Sequence, residues 1–511
     1  MLCTHVWVSD MGMAVANTKL RPSAHIRRFV QAARGHFKLD DQALAIRWIC
    51  IFLAPHLLQA VFAGVGDYYT CRFAQKAVGM WISPTILFST LTSWFNLHTA
   101  VRPLSNSLET VLTVVALFYW PLPGVVAEID PRWQSGLRVA LVWAAVSCVI
   151  RPTNGVVWLF LGVHLLWRCP NRQLSIMINT AIHNFIVGHF TCIRVLAFGT
   201  VLTLDTYLYT GSFSALLTAP IIAPLNFLRV NVFNSISLFY GIHSWHWYLT
   251  QGLPVLLTTF LPLFISGLWL SHADPALRTR TIPLLYLLAF VISVYSLLPH
   301  KEFRFIYPLL PILLLFASIG LHNLSPKHKW LAMVALVMTN IPMALYTSIW
   351  HQRGVVDVMR WVRERAQPGM EVEFLMPCHS TPWYSEVHDK EVNLEFLGCE
   401  PPLDPTDPTY MDEADVFYAN PRRFILDRFN RSSVQGRAWP THLVMFEALL
   451  KMEDEDGSLR GLFLGKGENG EGIYRECARF FNTHFNGDWR RKGDVIVLCY
   501  NDTGEDFVHI A

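Results

Sequence analysis

Charged residues are scarce in this 511-residue chain. They make up 15% of it, against 52% hydrophobic residues, whereas an average soluble protein carries roughly a quarter charged residues. The shortage is uneven, because residues 351–511 hold 46 of the 79 charged side chains and leave 33 for the first 350. This composition excludes a lone water-soluble enzyme. It indicates a membrane part followed by a soluble tail.

The chain also lacks a strong net charge. Its balance of 41 basic and 38 acidic residues gives +3, which excludes a polybasic protein that binds nucleic acid or a membrane surface through charge alone. No CxxC pair and no Cys/His zinc spacing occurs among the ten cysteines, so we expect no structural metal.

The cysteines fall into two environments. Four lie in or beside apolar runs, where cysteine is usually a small buried hydrophobe: Cys50, Cys71, Cys148 and Cys192. Four others lie in the polar tail: Cys378, Cys399, Cys477 and Cys499. If the tail faces an oxidising compartment, we expect one or two disulfides there, and the sequence leaves their pairing open.

Apolar runs dominate the first 350 residues, and a bilayer core needs about 20 apolar residues per helix. The sequence predicts ten membrane segments, near 44–66, 80–100, 107–127, 137–150, 155–168, 183–204, 254–270, 281–299, 303–321 and 329–350. The segments 137–150 and 155–168 are short, and a hinge at Arg151-Pro152-Thr153 joins them. The 183–204 segment contains His183, His189 and Arg194. The stretch 212–228 is broken by Pro220 and Pro224, which favours a loop or re-entrant piece.

Lysine and arginine are distributed unequally between the two faces that this count defines. One face carries Arg72, Lys76, Arg132, Arg138, Arg168, Arg172, Arg278, Arg280, Lys327 and Lys329. The other carries Arg102, Arg151, Arg229, Lys301 and Arg304. Cytoplasmic loops hold the excess of such residues. The second face, together with the tail, is therefore predicted to be luminal or extracellular.

The cations of the second face sit in compact polar clusters. Four clusters stand out: Arg102-Pro-Leu-Ser-Asn-Ser-Leu-Glu109, Arg151-Pro-Thr, His243-Ser-Trp-His-Trp-Tyr248 and His300-Lys-Glu-Phe-Arg304. Ionisable residues at membrane depth are costly, and they face a cavity or a partner. Each cluster alone fits a helix end anchored in the headgroup zone. Their convergence on one face favours a shared site for an anionic or phosphate-bearing substrate.

The tail reads as an α/β domain. Strands are predicted at Val372–Met376, His442–Phe446 and Val495–Cys499, after a helix at Trp350–Arg365. The turn Pro377–Pro382 contains a cysteine and a histidine, yet a structural loop packed on the membrane part is the favoured interpretation. The domains are thus 1–43, an atypical start, 44–350, a membrane domain, and 351–511, a soluble domain.

Two glycosylation triplets occur in the tail. They are Asn430-Arg-Ser432 and Asn501-Asp-Thr503, which match the acceptor pattern. Triplets of this kind arise often by chance, so they support a luminal tail only weakly.

One string, His300-Lys-Glu-Phe-Arg-Phe-Ile-Tyr-Pro308, resembles a family signature. It is similar to that of the endoplasmic-reticulum mannosyltransferases of the GT-C group, which use dolichyl-phosphate mannose. Five further motifs resemble the members that add the third mannose of the glycosylphosphatidylinositol (GPI) anchor: Arg102-Pro-Leu-Ser-Asn-Ser-Leu-Glu-Thr-Val-Leu-Thr113, Phe239-Tyr-Gly-Ile-His-Ser-Trp-His-Trp-Tyr248, His351-Gln-Arg-Gly354, Met376-Pro-Cys-His-Ser-Thr-Pro382 and Asp412-Glu-Ala-Asp-Val-Phe-Tyr418. The resemblance covers about 36–511.

This resemblance implies a polytopic helical GT-C fold of about ten membrane segments with a luminal α/β domain. It implies transfer of mannose from dolichyl-phosphate mannose to the GPI precursor, in an α-1,2 linkage with inversion, at the luminal face of the endoplasmic-reticulum membrane. Membrane lipids are the remaining expected partners. We expect neither a cofactor nor a metal, because inverting transfer from a lipid monophosphate does not require one.

The resemblance fails at the start of the chain. The family begins with a first helix and a large luminal loop whose His-Pro-Asp-Glu type motif supplies the catalytic base. Residues 1–35 contain no apolar run of spanning length and no Pro-Asp-Glu, and residues 36–43 resemble only the end of that loop. The expectation is therefore an alternative amino terminus, with the catalytic base unidentified.

The reaction requires a base and groups that stabilise a departing phosphate. Arg304 and Lys301 are the leading phosphate partners, with the neighbouring His300 in the binding set. Arg102 and Arg151 would serve the same role or clamp phosphates of the acceptor.

The remaining cluster residues have supporting parts. His243 and His246 would donate hydrogen bonds to phosphate or sugar. Trp245 and Trp247 would stack on a sugar ring or lie at the membrane interface. Glu302 is expected to pair with Arg304 or Lys301, and Glu109, one or two helical turns from Arg102, to be structural.

Three alternatives stay open. The first is a mannosyltransferase of dolichol-linked oligosaccharides, against which the tail motifs argue. The second is a catalytically inactive family member or another non-enzymatic membrane protein. The third is a transporter; transporters often contain internal repeats, which this chain lacks, and clusters on a single face argue against alternating access.

Overall fold

The computed structural model describes residues 49–122, 131–168, 199, 202–233, 236–387, 392–402, 409–429, 437–454, 457–465 and 473–501. Several of the sequence predictions lie outside these residues: the atypical segment 1–43, the end of the 107–127 span, Arg172, most of the 183–204 span with Cys192, and the acceptor Asn430. Asn501 is described, although the threonine of its triplet is not.

Helices dominate the described residues up to 350. They are α1 (Ala54–Val78, after a π-helical turn at Ile49–Leu53), α2 (Ser83–Thr92), α3 (Trp94–Thr99), α4 (Ser105–Tyr119), α5 (Pro131–Ile150), α6 (Gly155–Arg168), α7 (Ala215–Thr218), α8 (Ala223–Leu228), α9 (Leu253–Leu257), α10 (Leu261–Ala273), α11 (Pro275–Leu297), α12 (Leu310–His322) and α13 (Pro326–Leu345). Residues 202–210 are also helical. Short 3₁₀ or π-helical turns occupy Met80–Ile82, Pro152–Asn154, Arg229–Phe233, Ile236–Tyr240, Tyr248–Gly252, Thr258–Phe260, Phe303–Leu309 and Tyr346–Trp350.

Six helical runs in the described residues are long and apolar enough to cross a membrane: Ile49–Val78, Trp133–Ile150, Tyr248–Ala273, Pro275–Leu297, Phe303–His322 and Pro326–Glu364. The predicted polytopic helical architecture is confirmed, and the total of ten segments stays a prediction. The predicted hinge is present, because the 3₁₀ turn Pro152–Asn154 separates α5 from α6. The stretch 212–228 holds only the short helices α7 and α8.

Two predicted spans are interrupted. The 80–100 span breaks at Ser93, whose extended backbone separates α2 from α3. Asn340 compensates the break, because its Oδ1 accepts from the Trp94 amide at 3.3 Å. Within the 107–127 span, α4 ends at Tyr119, since Pro121 forces the preceding Trp120 into an extended conformation, and residues 123–127 lie outside the described residues.

The centre of the bundle is α12, and every residue from Leu310 to Leu321 is buried. It crosses α10 where two glycines meet. A Cβ added to Gly267 would lie 1.8 Å from the Phe316 carbonyl oxygen, and one added to Gly320 would lie 2.1 Å from the Leu263 oxygen. The two backbones are in direct contact there, a packing that only small residues permit.

The tail is an α/β domain, as predicted. Its strands are β1 (Glu371–Leu375), β2 (Asn393–Phe396), β3 (His442–Phe446), β4 (Glu453–Asp454), β5 (Gly457–Ser458), β6 (Tyr474–Phe480) and β7 (Val495–Tyr500). Its helices are α14 (Gly354–Glu364), α15 (Trp383–Glu386), α16 (Glu413–Ala419), α17 (Pro421–Arg428), α18 (Glu447–Leu450) and α19 (Leu459–Leu464), with a 3₁₀ turn at Trp489–Arg491. The three predicted strands agree with β1, β3 and β7 to within one residue at each end.

The main sheet has the order β2-β1-β3-β7-β6. β1 is parallel to β2 and β3, whereas β7 is antiparallel to β3 and β6. Alternate residues pack on opposite faces, because Val444 contacts the core beneath α14 while Leu443 contacts the core beneath α16 and α17. Both faces are therefore covered, which explains the continuous apolar character of the strands.

Two disulfides join the four tail cysteines, Cys378 with Cys399 and Cys477 with Cys499. This confirms the expectation of one or two bonds and supplies the pairing.

One end of the sheet faces the membrane helices. The Arg353 amide, three residues after the π-helical turn Tyr346–Trp350, donates to the Asn482 carbonyl at 3.1 Å, two residues beyond β6. Phe480 of β6 and Phe446 of β3 both pair with Val495. The carboxyl ends of β1 and β3 consequently point towards the membrane part.

Candidate functional site

Two of the predicted clusters form one unit, which we term the loop pair (residues 241–248 and 298–304). The His243 amide donates to the Pro299 carbonyl at 2.9 Å, and His300 Nδ1 lies 3.2 Å from the Gly241 carbonyl oxygen. Lys301 Nζ donates to the carbonyls of His243 at 3.0 Å and Leu298 at 2.5 Å. Lys301 is buried, so it joins the two segments, a role that the sequence did not indicate.

Within the loop pair, Arg304 is oriented by Glu302, as the sequence predicted. The Glu302 carboxylate takes Arg304 Nε at 2.5 Å and Nη2 at 2.7 Å, and His300 Nε2 lies 3.2 Å from the same carboxylate. Burial would raise the pKa of Glu302, but the hydrogen bonds from His300 and Arg304 outweigh it and lower the pKa to about 2. Glu302 is thus a fixed anion and not a base poised near neutral pH.

The aromatic residues of the loop pair have different environments. The Trp247 ring lies 4.9 Å from that of His243 and 4.7 Å from that of Phe303, which holds it inside the unit. Trp245 is 69% exposed, and His246 is exposed with Nδ1 3.2 Å from the Thr250 hydroxyl. Trp247 and His243 are therefore packed within the loop pair, while Trp245 and His246 lie at its surface.

A second unit surrounds Glu109, which we term the buried carboxylate cluster (Glu109, Arg151, Asn154, Asn106 and Ser105). Glu109 is 1% exposed, and its Oε2 lies 3.2 Å from Arg151 Nε. The sequence placed Glu109 beside Arg102, whereas the structure pairs it with Arg151 across 42 positions. A buried charge of this kind requires both a counter-charge and hydrogen bonds.

The amides of the cluster supply those hydrogen bonds. Asn154 donates to Glu109 Oε1 at 2.9 Å, and Asn106 donates to Oε2 at 3.2 Å. Arg151 Nη1 donates to the Ser105 hydroxyl at 3.0 Å. The hinge Arg151-Pro-Thr thus delivers both Arg151 and Asn154 to the same carboxylate.

Phe305 connects the two units. The guanidinium carbons of Arg151 and Arg304 each lie 5.8 Å from the centre of its ring. The two cations therefore lie near the same aromatic ring. Each is also paired with a carboxylate, Arg151 with Glu109 and Arg304 with Glu302. Two guanidinium groups beside one ring suit the binding of a phosphate.

Arg102 lies in a third group, at the end of α13. Its Nη2 is 3.2 Å from His98 Nδ1, which in turn is 3.1 Å from the Ser348 hydroxyl. The Thr99 carbonyl accepts from the Arg102 amide at 3.1 Å and from the Ser107 hydroxyl at 2.7 Å, so this group adjoins α4, the helix that carries Glu109.

Sequence reasoning missed one intramembrane carboxylate, Asp67 in α1. Asn96 donates to Asp67 Oδ1 at 3.1 Å, and the Tyr307 hydroxyl donates to Asn96 Oδ1 at 3.0 Å. The available signal was an acidic residue within an apolar run, which is by itself a reason to examine a position. Asn154 was missed too, because an uncharged amide in a hinge gives no comparable signal.

The tail motifs hold structure together. Asp412 caps α16 by accepting from the Asp415 amide at 2.6 Å, and Glu413 accepts from the Gly398 amide at 2.6 Å. In the turn Pro377–Pro382, Cys378 is disulfide-bonded and its carbonyl accepts from Arg491 at 2.9 Å. No free thiol remains in that turn, which agrees with a structural loop, and its packing on the membrane part stays a prediction.

Residues 18–388 match the model of the Alg9-like mannosyltransferase family. This match begins 18 residues before the resemblance that the motifs indicated, which covered about 36–511. The chain is 37% identical to GPI mannosyltransferase 3 of Yarrowia lipolytica, over 90% of this chain and 82% of that protein. It is 36% identical to GPI alpha-1,2-mannosyltransferase 3 of Mus musculus, over 88% and 74%.

Two further similarities concern a plant relative and a solved structure. Mannosyltransferase APTG1 of Arabidopsis thaliana is 34% identical over 88% of this chain and 78% of its own length. The crystal structure of ArnT from Cupriavidus metallidurans bound to undecaprenyl phosphate superposes with a TM-score of 0.50 at 12% identity, covering 88% of this chain and 84% of ArnT. At that identity the likeness concerns the fold alone, and it confirms the expected GT-C architecture.

Proposed function

Because this chain belongs to the Alg9-like mannosyltransferase family, we propose that it adds mannose to the growing GPI-anchor precursor, as its third mannose in an α-1,2 linkage. The relatives named GPI mannosyltransferase 3 support this acceptor, since they match over most of both chains. One of them carries the α-1,2 linkage in its name. The tail motifs support the same acceptor, because in the sequence they resemble the family members that add the third mannose of the GPI anchor.

The proposed donor is dolichyl-phosphate mannose. The ArnT structure contains a polyprenyl phosphate, which supports a lipid-linked donor for a chain of the same fold. The observation that carries the assignment of a site is the Arg151–Phe305–Arg304 arrangement, with both cations 5.8 Å from one ring. Its charge fits the phosphate of such a lipid.

In the proposed reaction, the acceptor hydroxyl attacks C1 of mannose while the bond from C1 to the lipid-phosphate oxygen breaks. The configuration at C1 inverts, and the lipid phosphate leaves with the bonding electrons. Arg151 and Arg304 stabilise the negative charge on that phosphate, and Glu109 and Glu302 keep their guanidinium groups in place. His243 and Trp247 border the sugar. The proton of the attacking hydroxyl passes to a general base.

The reaction is proposed to occur at the luminal face of the endoplasmic-reticulum membrane. The lower number of lysines and arginines on the face of the loop pair supports this orientation. The two tail disulfides support it independently, because disulfides persist in oxidising compartments and are rare in the cytosol.

The test is a transfer assay with the full-length protein in liposomes. Radiolabelled dolichyl-phosphate mannose is supplied with a GPI precursor that carries two mannoses, and the expected product carries three. Parallel reactions contain GDP-mannose as the donor, or a dolichol-linked oligosaccharide as the acceptor. Transfer from GDP-mannose without lipid donor would contradict the proposed donor. Preferential labelling of the oligosaccharide would favour the alternative function.

A further inference from the structure

The tail presents an aromatic tip between β6 and β7, which we term the aromatic loop (residues 481–485). Phe485 is 74% exposed and Phe481 is 41% exposed. Exposed aromatic side chains that occur together on a folded domain usually mark a surface that another phase or molecule covers. The aromatic loop therefore needs an explanation that the transfer reaction does not supply.

The aromatic loop is fastened to the end of the last membrane run. The Tyr346 hydroxyl lies 3.1 Å from His484 Nδ1, and His351 Nδ1 lies 2.8 Å from the Thr483 hydroxyl. The Arg353 amide donates to the Asn482 carbonyl at 3.1 Å. Three successive residues of the loop thus contact the membrane run.

The motif His351-Gln-Arg-Gly354 makes this attachment possible. Gln352 has a φ of 57°, which turns the chain sharply out of the helix. A Cβ added to Gly354 would lie 3.0 Å from the carbonyl oxygens of Phe480 and Phe481, so a glycine is needed where α14 begins beside β6. The motif His351-Gln-Arg-Gly354 had no assigned role in the sequence analysis. In the structure it holds the aromatic loop in place.

The depth of Phe485 follows from its neighbour. The rings of Phe485 and Tyr346 are 6.4 Å apart, and Tyr346 belongs to the apolar run Pro326–Glu364. At 1.5 Å per residue, Tyr346 lies about 6 Å back from Trp350 along the helix. Ile349 and Trp350 are themselves 46% and 45% exposed, as side chains facing lipid would be. Phe485 therefore stands beside the π-helical turn Tyr346–Trp350, which follows α13.

The loop has the composition and bonding of a segment at the bilayer interface. Thr483 donates its hydroxyl to the Phe485 carbonyl at 3.1 Å and accepts from the Phe485 amide at 3.4 Å, so part of the backbone is satisfied without water. Aromatic residues are enriched at the headgroup level of membrane proteins. Arg490 and Arg491, which follow the loop in sequence, are paired with Asp488 at 3.1 and 3.4 Å.

From these contacts we propose that the aromatic loop is inserted into the interface of the bilayer, with Phe481 and Phe485 among the lipids. The partner is the membrane lipid itself, in the leaflet on the tail side. The insertion fixes the carboxyl edge of the sheet over the membrane helices. This proposal stands independently of the sugar transferred and of the donor.

The test uses the full chain reconstituted in phosphatidylcholine nanodiscs. The photoreactive residue p-benzoylphenylalanine replaces Phe485 in one variant and Leu426 in a matched control. Leu426 is 40% exposed in α17, a helix whose end bonds to Arg437 at the membrane-distal side of the sheet. We expect a phospholipid adduct at position 485, detected by mass spectrometry, with at least a tenfold higher yield than at position 426.

Equal yields at both positions, or adducts at 485 to protein and not to lipid, would overturn the proposal. The unmodified protein provides a second measurement, in case the label disturbs folding. Nanodiscs containing a diazirine phospholipid should place adducts on the peptide with residues 480–489, and not on the peptide with residues 420–429. The reverse pattern would contradict insertion without any substitution.

Discussion

Asn154 donates its side-chain amide to Glu109 Oε1 over 2.9 Å, and its own Oδ1 accepts from Trp158 at 2.6 Å and from Ser147 at 2.8 Å. Asn154 also donates to the Thr113 hydroxyl at 3.0 Å, so four residues fix the orientation of its amide. Glu109 is fixed in turn, and it holds Arg151 at 3.2 Å. The hinge between α5 and α6 thus positions a cation of the proposed phosphate site.

The Glu109–Arg151 pair gives the first prediction. Glu109→Leu leaves the Arg151 charge buried and unpaired, which should destabilise the protein by about 3–5 kcal/mol. The double variant Glu109→Leu/Arg151→Met should recover most of that loss, since replacing both partners of a buried pair is often neutral. Thermal unfolding in detergent measures both variants.

Transfer activity separates stability from function in the same pair. The double variant should stay impaired in mannose transfer even where it is stable, because Arg151 is proposed to contact the donor phosphate. A double variant with normal stability and normal transfer would remove Arg151 from the site.

The second prediction concerns Arg304. Arg304→Ala should lower the rate of transfer by about 10²-fold or more, because loss of one preorganised donor to developing charge costs roughly 2.7–4 kcal/mol. Arg304→Lys should restore only part of the rate, since the forked geometry is lost. The measurement is the initial rate at matched protein levels.

Arg353→Ala is the matched control for Arg304. Arg353 is also paired with a carboxylate, Asp357 at 2.7 Å, but its side chain is 48% exposed and lies in the tail connection. Its rate should stay near wild type. Equal rates in the Arg304 and Arg353 variants would show that Arg304 does not act on the substrate.

The third prediction concerns the crossing of α10 and α12. Gly267→Ala and Gly320→Ala each place a methyl group on a neighbouring backbone carbonyl, so the helices must separate. Overpacking typically costs about 1–3 kcal/mol and occasionally more, and we expect the upper end because backbone cannot rotate away. Gly162→Ala in α6 is the control, since no atom lies within 4 Å of its added Cβ. The midpoint of thermal unfolding should fall in the first two variants only.

The fourth prediction concerns topology. An epitope after residue 511 should resist protease added to sealed microsomes and become sensitive once detergent opens them, because the tail is proposed to be luminal. A cytoplasmic epitope on the loop at Lys327 should be cleaved without detergent. Cleavage of the tail epitope in intact vesicles would contradict the orientation.

Local patterns predicted the regular elements, and distant contacts decided the rest. The helix that ends at Leu297 and the strand His442–Phe446 could be predicted from the sequence, because continuous apolar residues identify a buried element. The break at Ser93 was not readable, since the hydrogen bond that compensates it comes from Asn340, 246 residues away.

The candidate site shows the same division. The pairing of Glu302 with Arg304 was predictable from their spacing, and the structure contains it. The partner of Glu109 was not predictable, because Arg102 is nearer in sequence and Arg151 is nearer in space. Lys301 was assigned to phosphate from its charge, whereas the backbone carbonyls that its ammonium contacts leave no trace in a sequence.

The contact of Gly267 with Gly320 has a consequence for how substrates are accommodated. Two helices whose backbones touch have no room to slide or tilt against each other. The runs at their amino ends, Tyr248–Phe260 and Phe303–Leu309, adjoin the loop pair. The proposed phosphate site therefore has a rigid support on its Arg304 side. On the other side the Asn154–Glu109–Arg151 contacts fix the second cation, so an incoming lipid would have to adjust to the protein.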